Sequence, residues 1–392
     1  MFKKIFLSFT LTHFFLLSSY MLFSEVIGQH ETKQHLLDLV KSGKIPHAQL
    51  FLEQQGAGGL ALALAFSQYI VCEDKKENDS CGVCSACVKS AKLIHPDLQL
   101  TYPIVPKKPS PHVSLCKDYI QEWRTEIIKN PYINELEWLQ SIGAENRQGN
   151  ISAEVIRTIL RGVTLTTFEA DYKIQIIWMA ENLSKEGNIL LKLLEEPPEN
   201  TLLILIAENQ EDILPTILSR CQIVKINKIE DAAISQALLS KGVPQSNTMH
   251  IAYLADGNFN EALKLIDSET DESTKILTHW LDFSINKKPG ELLKWTEETG
   301  KMGRENLKSF FEYATHIFRE AMLLLYIKDY TARLSNHELQ LANRINKFLT
   351  YQKLEQLLQL ISKKHYEIER NVSPKIALMD MSLQMKNIIR SK

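Results

Sequence analysis

Two patterns of hydrophobic residues divide the chain. Up to about residue 228, short apolar runs alternate with stretches in which apolar residues recur at helical spacing, as in a parallel sheet covered by helices. From about residue 229 onward only the helical spacing continues, which predicts an all-α second part. We therefore predict an α/β domain followed by helical domains. The length of 392 residues fits this reading, since it is too long for one small domain.

The predicted elements follow from these runs. Apolar runs bounded by polar residues predict five strands, at residues 47–52, 98–104, 173–180, 201–207 and 222–226. Helical spacing predicts helices at residues 30–42, 61–71, 113–128 and 151–162, the last with Ser152 as its N-cap. A further helix should end at Glu196, because Pro197 and Pro198 cannot continue it. Residues 130–150 show no clear pattern. The C-terminal part predicts helices at residues 274–285, 290–298, 306–326, 336–360 and 374–389.

The first predicted strand leads through a glycine-rich turn into a helix, which is the setting of a P-loop. A working P-loop needs a Lys for the phosphates and a Ser or Thr hydroxyl for magnesium. Gly56 and Gly58 match two glycines of the pattern, but Gly59 stands at the Lys position and Leu60 at the Ser/Thr position. Glu53 replaces the first glycine and brings negative charge toward any phosphate. We interpret the segment as a tight turn without ligand, with weak binding of nucleotide by the backbone left as an alternative.

Four of the six cysteines lie in one short window after this helix. Their spacing, C-x8-C-x2-C-x2-C, allows the thiolates to converge on one tetrahedral ion and predicts a structural zinc site formed by Cys72, Cys81, Cys84 and Cys87. Four thiolates leave no open position for water, so catalysis by the metal is not expected. Disulfides or an iron–sulfur cluster are the alternatives. We expect Cys116 and Cys221 to be free thiols.

The N-terminus has the form of a secretory signal. Two lysines precede a short apolar run at residues 5–17, which is too short to span a bilayer comfortably. The other interpretation is that translation starts at Met21 and that residues 1–20 come from a start codon assigned too early. We favour the second and leave residues 1–20 out of the fold argument.

Composition and charge are those of an ordinary globular protein. Hydrophobic residues make up 44% and charged residues 23% of the chain, and the formal net charge is -2. A net charge so close to zero gives no indication of a basic surface that would bind nucleic acid. If DNA is a partner, we do not expect this chain to make most of the contacts with it.

Several motifs carry a resemblance to a known family. Residues 194–198 read LEEPP, residues 214–222 read LPTILSRCQ, and residues 21–29 read MLFSEVIGQ. Together with the cysteine spacing, these resemble the clamp-loader branch of the AAA+ proteins, in particular the delta-prime subunits of the bacterial DNA polymerase III clamp loader. The resemblance covers most of residues 21–270. It implies an AAA+ core at 21–228 with a zinc module at 72–87, a helical lid domain at 229–268 and a C-terminal oligomerisation (collar) domain at 269–392.

The resemblance also implies roles for individual residues. In an active ATPase of this class the strand at residues 173–180 ends in an Asp-Glu pair that supports magnesium and orients the attacking water. Trp178 and Met179 stand at those positions and can do neither. We expect the nearby Glu181 to point away. Arg220 would be an arginine finger supplied to a neighbouring ATPase subunit, within the triplet Ser219, Arg220 and Cys221. A surface salt bridge is the structural alternative for Arg220.

The function implied is that of a cytoplasmic, non-hydrolysing subunit in DNA replication. The implied partners are motor subunits of the tau/gamma type and a delta subunit in a hetero-pentamer, and through that complex the sliding clamp and primed DNA. Zinc would be a structural cofactor, ATP would not be hydrolysed by this chain, and no membrane is involved. Two alternatives stay open: an AAA+ protein with its own weak nucleotide binding or ATPase activity, or a secreted zinc protein if residues 1–20 are a true signal.

Overall fold

The structure is a computed structural model. It describes residues 22–106, 113–144, 147–267, 270–285, 289–328, 330, 332, 334, 336–370 and 372–390. The predicted extension at 1–20 lies outside these residues. The chain divides into two compact units: the described residues up to Lys241 together with Asp256–Glu261, and Gly242–Ala255 together with the described residues from Ala262 onward. None of the described helices has both the length and the apolar character needed to cross a bilayer.

The first unit is built on a five-stranded parallel sheet with the strand order β2-β3-β4-β1-β5. The strands are β1 (Ala48–Glu53), β2 (Leu98–Thr101), β3 (Lys173–Trp178), β4 (Thr201–Ala207) and β5 (Gln222–Ile226). All five predicted strands are therefore present, although β2 and β3 end earlier than predicted, at Thr101 and Trp178. Every residue of β3 and β4 is buried, as expected for central strands covered on both faces, whereas the edge strand β5 exposes three of its five residues.

Short helices connect and cover these strands. They are α1 (His30–Lys41), α2 (Gly59–Val71), α3 (Ser85–Ala91), α4 (Ile120–Lys129), α5 (Glu135–Ser141), α6 (Ala153–Val163), α7 (Leu191–Glu195), α8 (Pro215–Leu218) and α9 (Asp231–Ser240), with 3-10 segments at Cys116–Tyr119, Ala180–Leu190 and Gln210–Asp212. The predicted cap is confirmed, because Ser152 Oγ accepts a hydrogen bond from the Val155 N–H at 3.5 Å. The predicted stop is confirmed as well, since α7 ends at Glu195, and Glu196, its non-helical C-cap, is followed by the two prolines.

Helix α5 lies in the segment that the hydrophobic pattern left unassigned. Its start is a capping box: Asn134 Oδ1 accepts from the Glu137 N–H at 2.9 Å, and Glu137 Oε2 accepts from the Asn134 N–H at 3.3 Å. Trp138 and Leu139 are the buried residues of this helix. The Asn-x-x-Glu spacing was therefore a usable signal that the apolar periodicity alone did not show.

The described part of the second unit contains helices and no strand. The remaining helices of the chain are α10 (Gln245–Ala255), α11 (Phe259–Asp267), α12 (Thr270–Ile285), α13 (Pro289–Thr299), α14 (Arg304–Tyr326), α15 (Asn336–Asn346), α16 (Tyr351–Glu369) and α17 (Pro374–Arg390). The single helix predicted at 336–360 is wrong: two helices occupy it, and Thr350 caps the second by accepting from the Lys353 N–H. The core of this unit includes Trp280, whose Nε1 donates to Ser382 Oγ at 2.9 Å. The separate lid and collar domains stay predictions.

Candidate functional site

The glycine-rich turn joins the end of β1 to the start of α2. Gly56 and Gly58 have φ values of +71° and +96°, a region that glycine enters without strain. A Cβ at residue 58 would also lie 2.7 Å from the Tyr132 ring. The two glycines are therefore required by the turn itself, whether or not a ligand binds there.

The side chain of Glu53 turns into this loop. Its Oε2 accepts a hydrogen bond from the Gly59 N–H at 2.6 Å, and the residue is only 7% exposed. Burial raises the pKa of the Glu53 carboxyl to about 7 and outweighs the opposing effect of hydrogen bonds from the Gly59 and Gly58 backbone. Gly59 and Leu60, which stand where a working P-loop has Lys and Ser or Thr, are both buried and carry no polar side chain.

The end of β3 holds an indole and a thioether where catalysis would need carboxylates. Trp178 is 1% exposed and its ring lies 5.2 Å from that of Trp123, within a cluster that also contains Tyr102 and Trp138. Met179 is 5% exposed and has a φ of +53°. Neither side chain offers an oxygen to a magnesium ion or a base to a water molecule. The structure gives Trp178 a packing role instead.

Three further carboxylates lie close to Glu53 and interact with it electrostatically or with one another. The prediction that Glu181 points away is wrong: its Oε1 accepts from the Asn209 N–H at 2.8 Å and from the Glu208 N–H, at the end of β4. Burial, followed by repulsion from Glu53, Glu181 and Glu135, raises the pKa of Glu208 to about 8. Burial also raises the pKa of Glu181 and of Glu135. The edge of the sheet that would face a nucleotide is thus rich in carboxyl groups.

Glu208 predicts a pH dependence of stability. Its pKa lies above its ordinary value of 4.5, so the folded state keeps this proton to a higher pH than the unfolded state. The protonated group's stabilising effect is complete below about pH 4.5 and is lost as the pH rises toward about 8. We therefore expect Glu208→Gln, which cannot ionise, to gain about 2–4 kcal/mol relative to the native chain between pH 5 and pH 8.5.

Urea unfolding at several pH values measures this difference. The matched control is Glu211→Gln, because Glu211 is exposed on the neighbouring 3-10 segment. Its stability should follow that of the native chain at every pH. Parallel profiles of the native chain and Glu208→Gln would contradict the prediction.

The four clustered cysteines meet directly after α2. Their Sγ atoms all lie within 4.8 Å of one another, and those of Cys81 and Cys87 are 3.8 Å apart. A tetrahedron with Zn–S bonds of about 2.3 Å has S–S edges of about 3.8 Å, so the arrangement has the size that zinc requires. Backbone N–H groups of Cys81, Cys84 and Cys87 donate to Sγ atoms within the cluster at 3.3 to 3.4 Å. Such donors favour thiolates, the form that binds metal.

The two other cysteines lie outside this cluster, and both are free thiols as predicted. Burial raises the pKa of Cys116 to about 12 and that of Cys221 to about 11. Both therefore stay protonated and unreactive near neutral pH.

Arg220 lies on the turn that follows α8. Its Nε and Nη2 donate to Glu195 Oε1 at 3.0 and 2.6 Å, and its Nη1 donates to the Thr216 carbonyl and to Ser219 Oγ, both at 3.0 Å. The side chain is 35% exposed, whereas Ser219 is exposed and Cys221 is partly buried. An exposed ion pair of this kind contributes little to stability, about 0–1 kcal/mol. The guanidinium can therefore exchange Glu195 for another anion at small cost.

One buried carboxylate outside the predicted site residues has a clear structural role. Asp97, in the His-Pro-Asp turn before β2, accepts hydrogen bonds from the backbone N–H groups of Phe168, Glu169 and Ala170 at 2.7 to 3.0 Å. Burial by itself would raise the pKa of Asp97, but these three donors hold it below its ordinary value. Asp97 thereby fixes the loop that leads into β3.

Comparison with known proteins gives the family. The model of the family described as "DNA polymerase III, delta subunit" matches residues 28–230, more than half of the chain. The chain belongs to the DNA polymerase III delta-subunit family. The match covers the whole sheet and ends close to residue 228, the predicted end of the core.

Curated relatives of this family member carry related names. The chain is 26% identical over 238 residues to the DNA polymerase III subunit delta' of Bacillus subtilis, and 28% identical over 268 residues to subunit tau of the same organism. These alignments cover 60% and 65% of the chain, but only 58% and 39% of the two relatives. Among solved structures, a DNA polymerase III gamma-subunit-related protein from Thermotoga maritima aligns with 92% of the chain and 100% of its own, at 14% identity and a TM-score of 0.35.

Proposed function

We propose that this chain is a delta-prime-like, non-hydrolysing subunit of the DNA polymerase III clamp loader. In that complex it docks beside a tau/gamma-type motor subunit, with a delta subunit completing a hetero-pentamer. The assembled complex opens a sliding clamp and places it on primed DNA. The chain acts in the cytoplasm, contributes no ATPase site of its own and carries structural zinc on Cys72, Cys81, Cys84 and Cys87.

A single contrast within the first unit carries this proposal. The nucleotide-binding turn has neither Lys nor hydroxyl, and the end of β3 has no carboxylate at Trp178 or Met179. The LPTILSRC segment nevertheless keeps an accessible guanidinium on Arg220. A planar, always charged guanidinium binds phosphate oxygens through paired donors. Family membership and the relatives named delta' and tau support the assignment to this complex.

Reconstitution with purified partners tests the proposal. We expect the isolated chain to hydrolyse no ATP, to co-elute with tau-type and delta subunits, and to raise the clamp-stimulated ATPase of the tau-type subunits. The reason is that the motor subunit would receive Arg220 in trans, close to the γ-phosphate of its bound ATP.

Two results would contradict this proposal. One is ATP turnover by the isolated chain that is abolished by altering Gly59 or Leu60, which would make the chain an ATPase in its own right. The other is failure of the chain to co-elute with tau-type and delta subunits at micromolar concentrations.

A further inference from the structure

The start of α2 has the properties of an anion site. The first N–H groups of a helix have no partner within the helix, and the helix dipole favours negative charge there. In P-loop proteins these N–H groups bind phosphate. The cap residue of α2, Gly58, has no side chain to satisfy them, so another acceptor must do so.

The acceptor is a carboxylate from the end of β1. Glu53 lies six residues before Gly59, and its Oε2 accepts the Gly59 N–H at 2.6 Å. The carboxylate is almost completely shielded from water, at 7% exposure of the residue. Burying a carboxylate is costly unless donors satisfy it, and the N-terminus of α2 supplies them. A carboxyl group of the chain thus lies where a P-loop would hold phosphate.

The outer side of the turn is also closed by the chain itself. The Phe259 N–H donates to the Gly56 carbonyl at 3.1 Å, and a Cβ at residue 56 would lie 1.8 Å from Asn258 Oδ1. The rings of Phe259 and Tyr132 are in edge contact, with their centroids 5.0 Å apart. Both Asn258 and Phe259 belong to the first unit, so this contact is internal to it.

We propose that the Glu53 carboxyl is a built-in hydrogen-bond acceptor that occupies the phosphate position of the turn. The turn thereby keeps the shape of a phosphate-binding loop without a nucleotide. The missing Lys is consequently not the first obstacle to nucleotide binding. A Cβ at residue 59 would lie 2.6 Å from Glu53 Oε1, so Gly59→Lys alone cannot restore the site while Glu53 stays in place.

Removal of the carboxylate tests this inference on the isolated full chain. We expect Glu53→Gly to bind inorganic pyrophosphate at least about tenfold more tightly than the native chain, because the N–H groups freed from Glu53 can donate hydrogen bonds to an external anion. At about ten times the dissociation constant, pyrophosphate should raise the melting temperature of the variant by about 3 °C or more. Sodium chloride at equal ionic strength should not do so.

Glu211→Gly is the matched control, since it removes an exposed carboxylate from a different turn. It should respond to pyrophosphate as the native chain does. Equal responses of the native chain and Glu53→Gly would overturn the inference, and so would tight pyrophosphate binding by the native chain. If Glu53→Gly does not fold, Glu53→Ala replaces it. Recovery of folding with pyrophosphate would support the inference, and failure of both variants to fold at saturating pyrophosphate would overturn it.

This test does not depend on any partner protein. A chain that fails to join the clamp-loader complex could still have Glu53 in the phosphate position. A chain that joins the complex could have Glu53 elsewhere. Failure of this inference and failure of the proposed function are therefore distinguishable.

Discussion

Replacement of Arg220 by Ala is expected to lower clamp-stimulated ATP hydrolysis at the site of the adjacent motor subunit by about 10²- to 10³-fold, at or below the lower end of the about 10³- to 10⁵-fold that arginine fingers contribute in GTPases. The proposed position of the guanidinium, at the γ-phosphate of the neighbouring subunit, places its charge where negative charge develops in the transition state. The methyl side chain of Ala would leave the negative charge of the transition state uncompensated. The rate of phosphate release by the assembled complex measures the effect.

Two further variants separate this role from a structural one. Arg220→Lys should also be strongly impaired, because an ammonium lacks the planar fork of donors. Arg157→Ala is the matched control: Arg157 is an exposed arginine of α6 that pairs with Glu154, outside the motif. It should leave the rate unchanged. None of the three variants should change the melting temperature by more than about 2 °C, since exposed ion pairs contribute about 0–1 kcal/mol.

Complex composition decides how the Arg220 result is interpreted. If Arg220→Ala co-elutes with tau-type and delta subunits and hydrolyses ATP at the native rate, the arginine-finger role is excluded. The ion pair with Glu195 would then be the whole function of this side chain.

The features that the sequence predicted are those set by local pattern. Five apolar runs became the five strands, and the Pro197-Pro198 pair ended α7 where the backbone constraints of proline require it. The cysteine spacing predicted the cluster because two Cys-x2-Cys steps on a short turn leave few other arrangements. Such patterns depend on neighbours in the chain and can be read without tertiary information.

The features that the sequence did not predict depend on side-chain direction. The sequence predicted that Glu53 brings negative charge toward the turn. It did not predict the hydrogen bond from the Gly59 N–H to Glu53, which depends on how β1 packs against the start of α2. In the sequence Glu208 is only a Glu that follows a strand. Its raised pKa results from burial and from three neighbouring carboxylates that the fold brings close to it. The break between α15 and α16 was missed because apolar spacing continues across it, while the cap at Thr350 sets the boundary. Tertiary packing decides all three.

Loss of one cluster cysteine is expected to remove the metal and to lower the stability of the first unit. We expect the purified chain to contain about one zinc per molecule and Cys87→Ser to contain almost none, because a neutral hydroxyl is a poor replacement for a thiolate. Cys87 is 1% exposed and lies on α3, which contacts α2, so the loss should spread beyond the cluster. Structural zinc contributes about 10–16 kcal/mol of binding free energy in zinc-finger peptides, and even a fraction of that should lower the melting temperature by several degrees.

Metal analysis and thermal unfolding of matched variants test this expectation. Cys116→Ser is the control, because it changes a partly buried free thiol that lies outside the cluster and should keep the zinc. Visible absorbance distinguishes the iron–sulfur alternative, since zinc thiolates are colourless and iron–sulfur clusters are not. A Cys87→Ser variant with the native zinc content would show that the four thiols do not form the site. Unchanged melting of a metal-free variant would show that the turn after α2 is held by its hydrogen bonds alone.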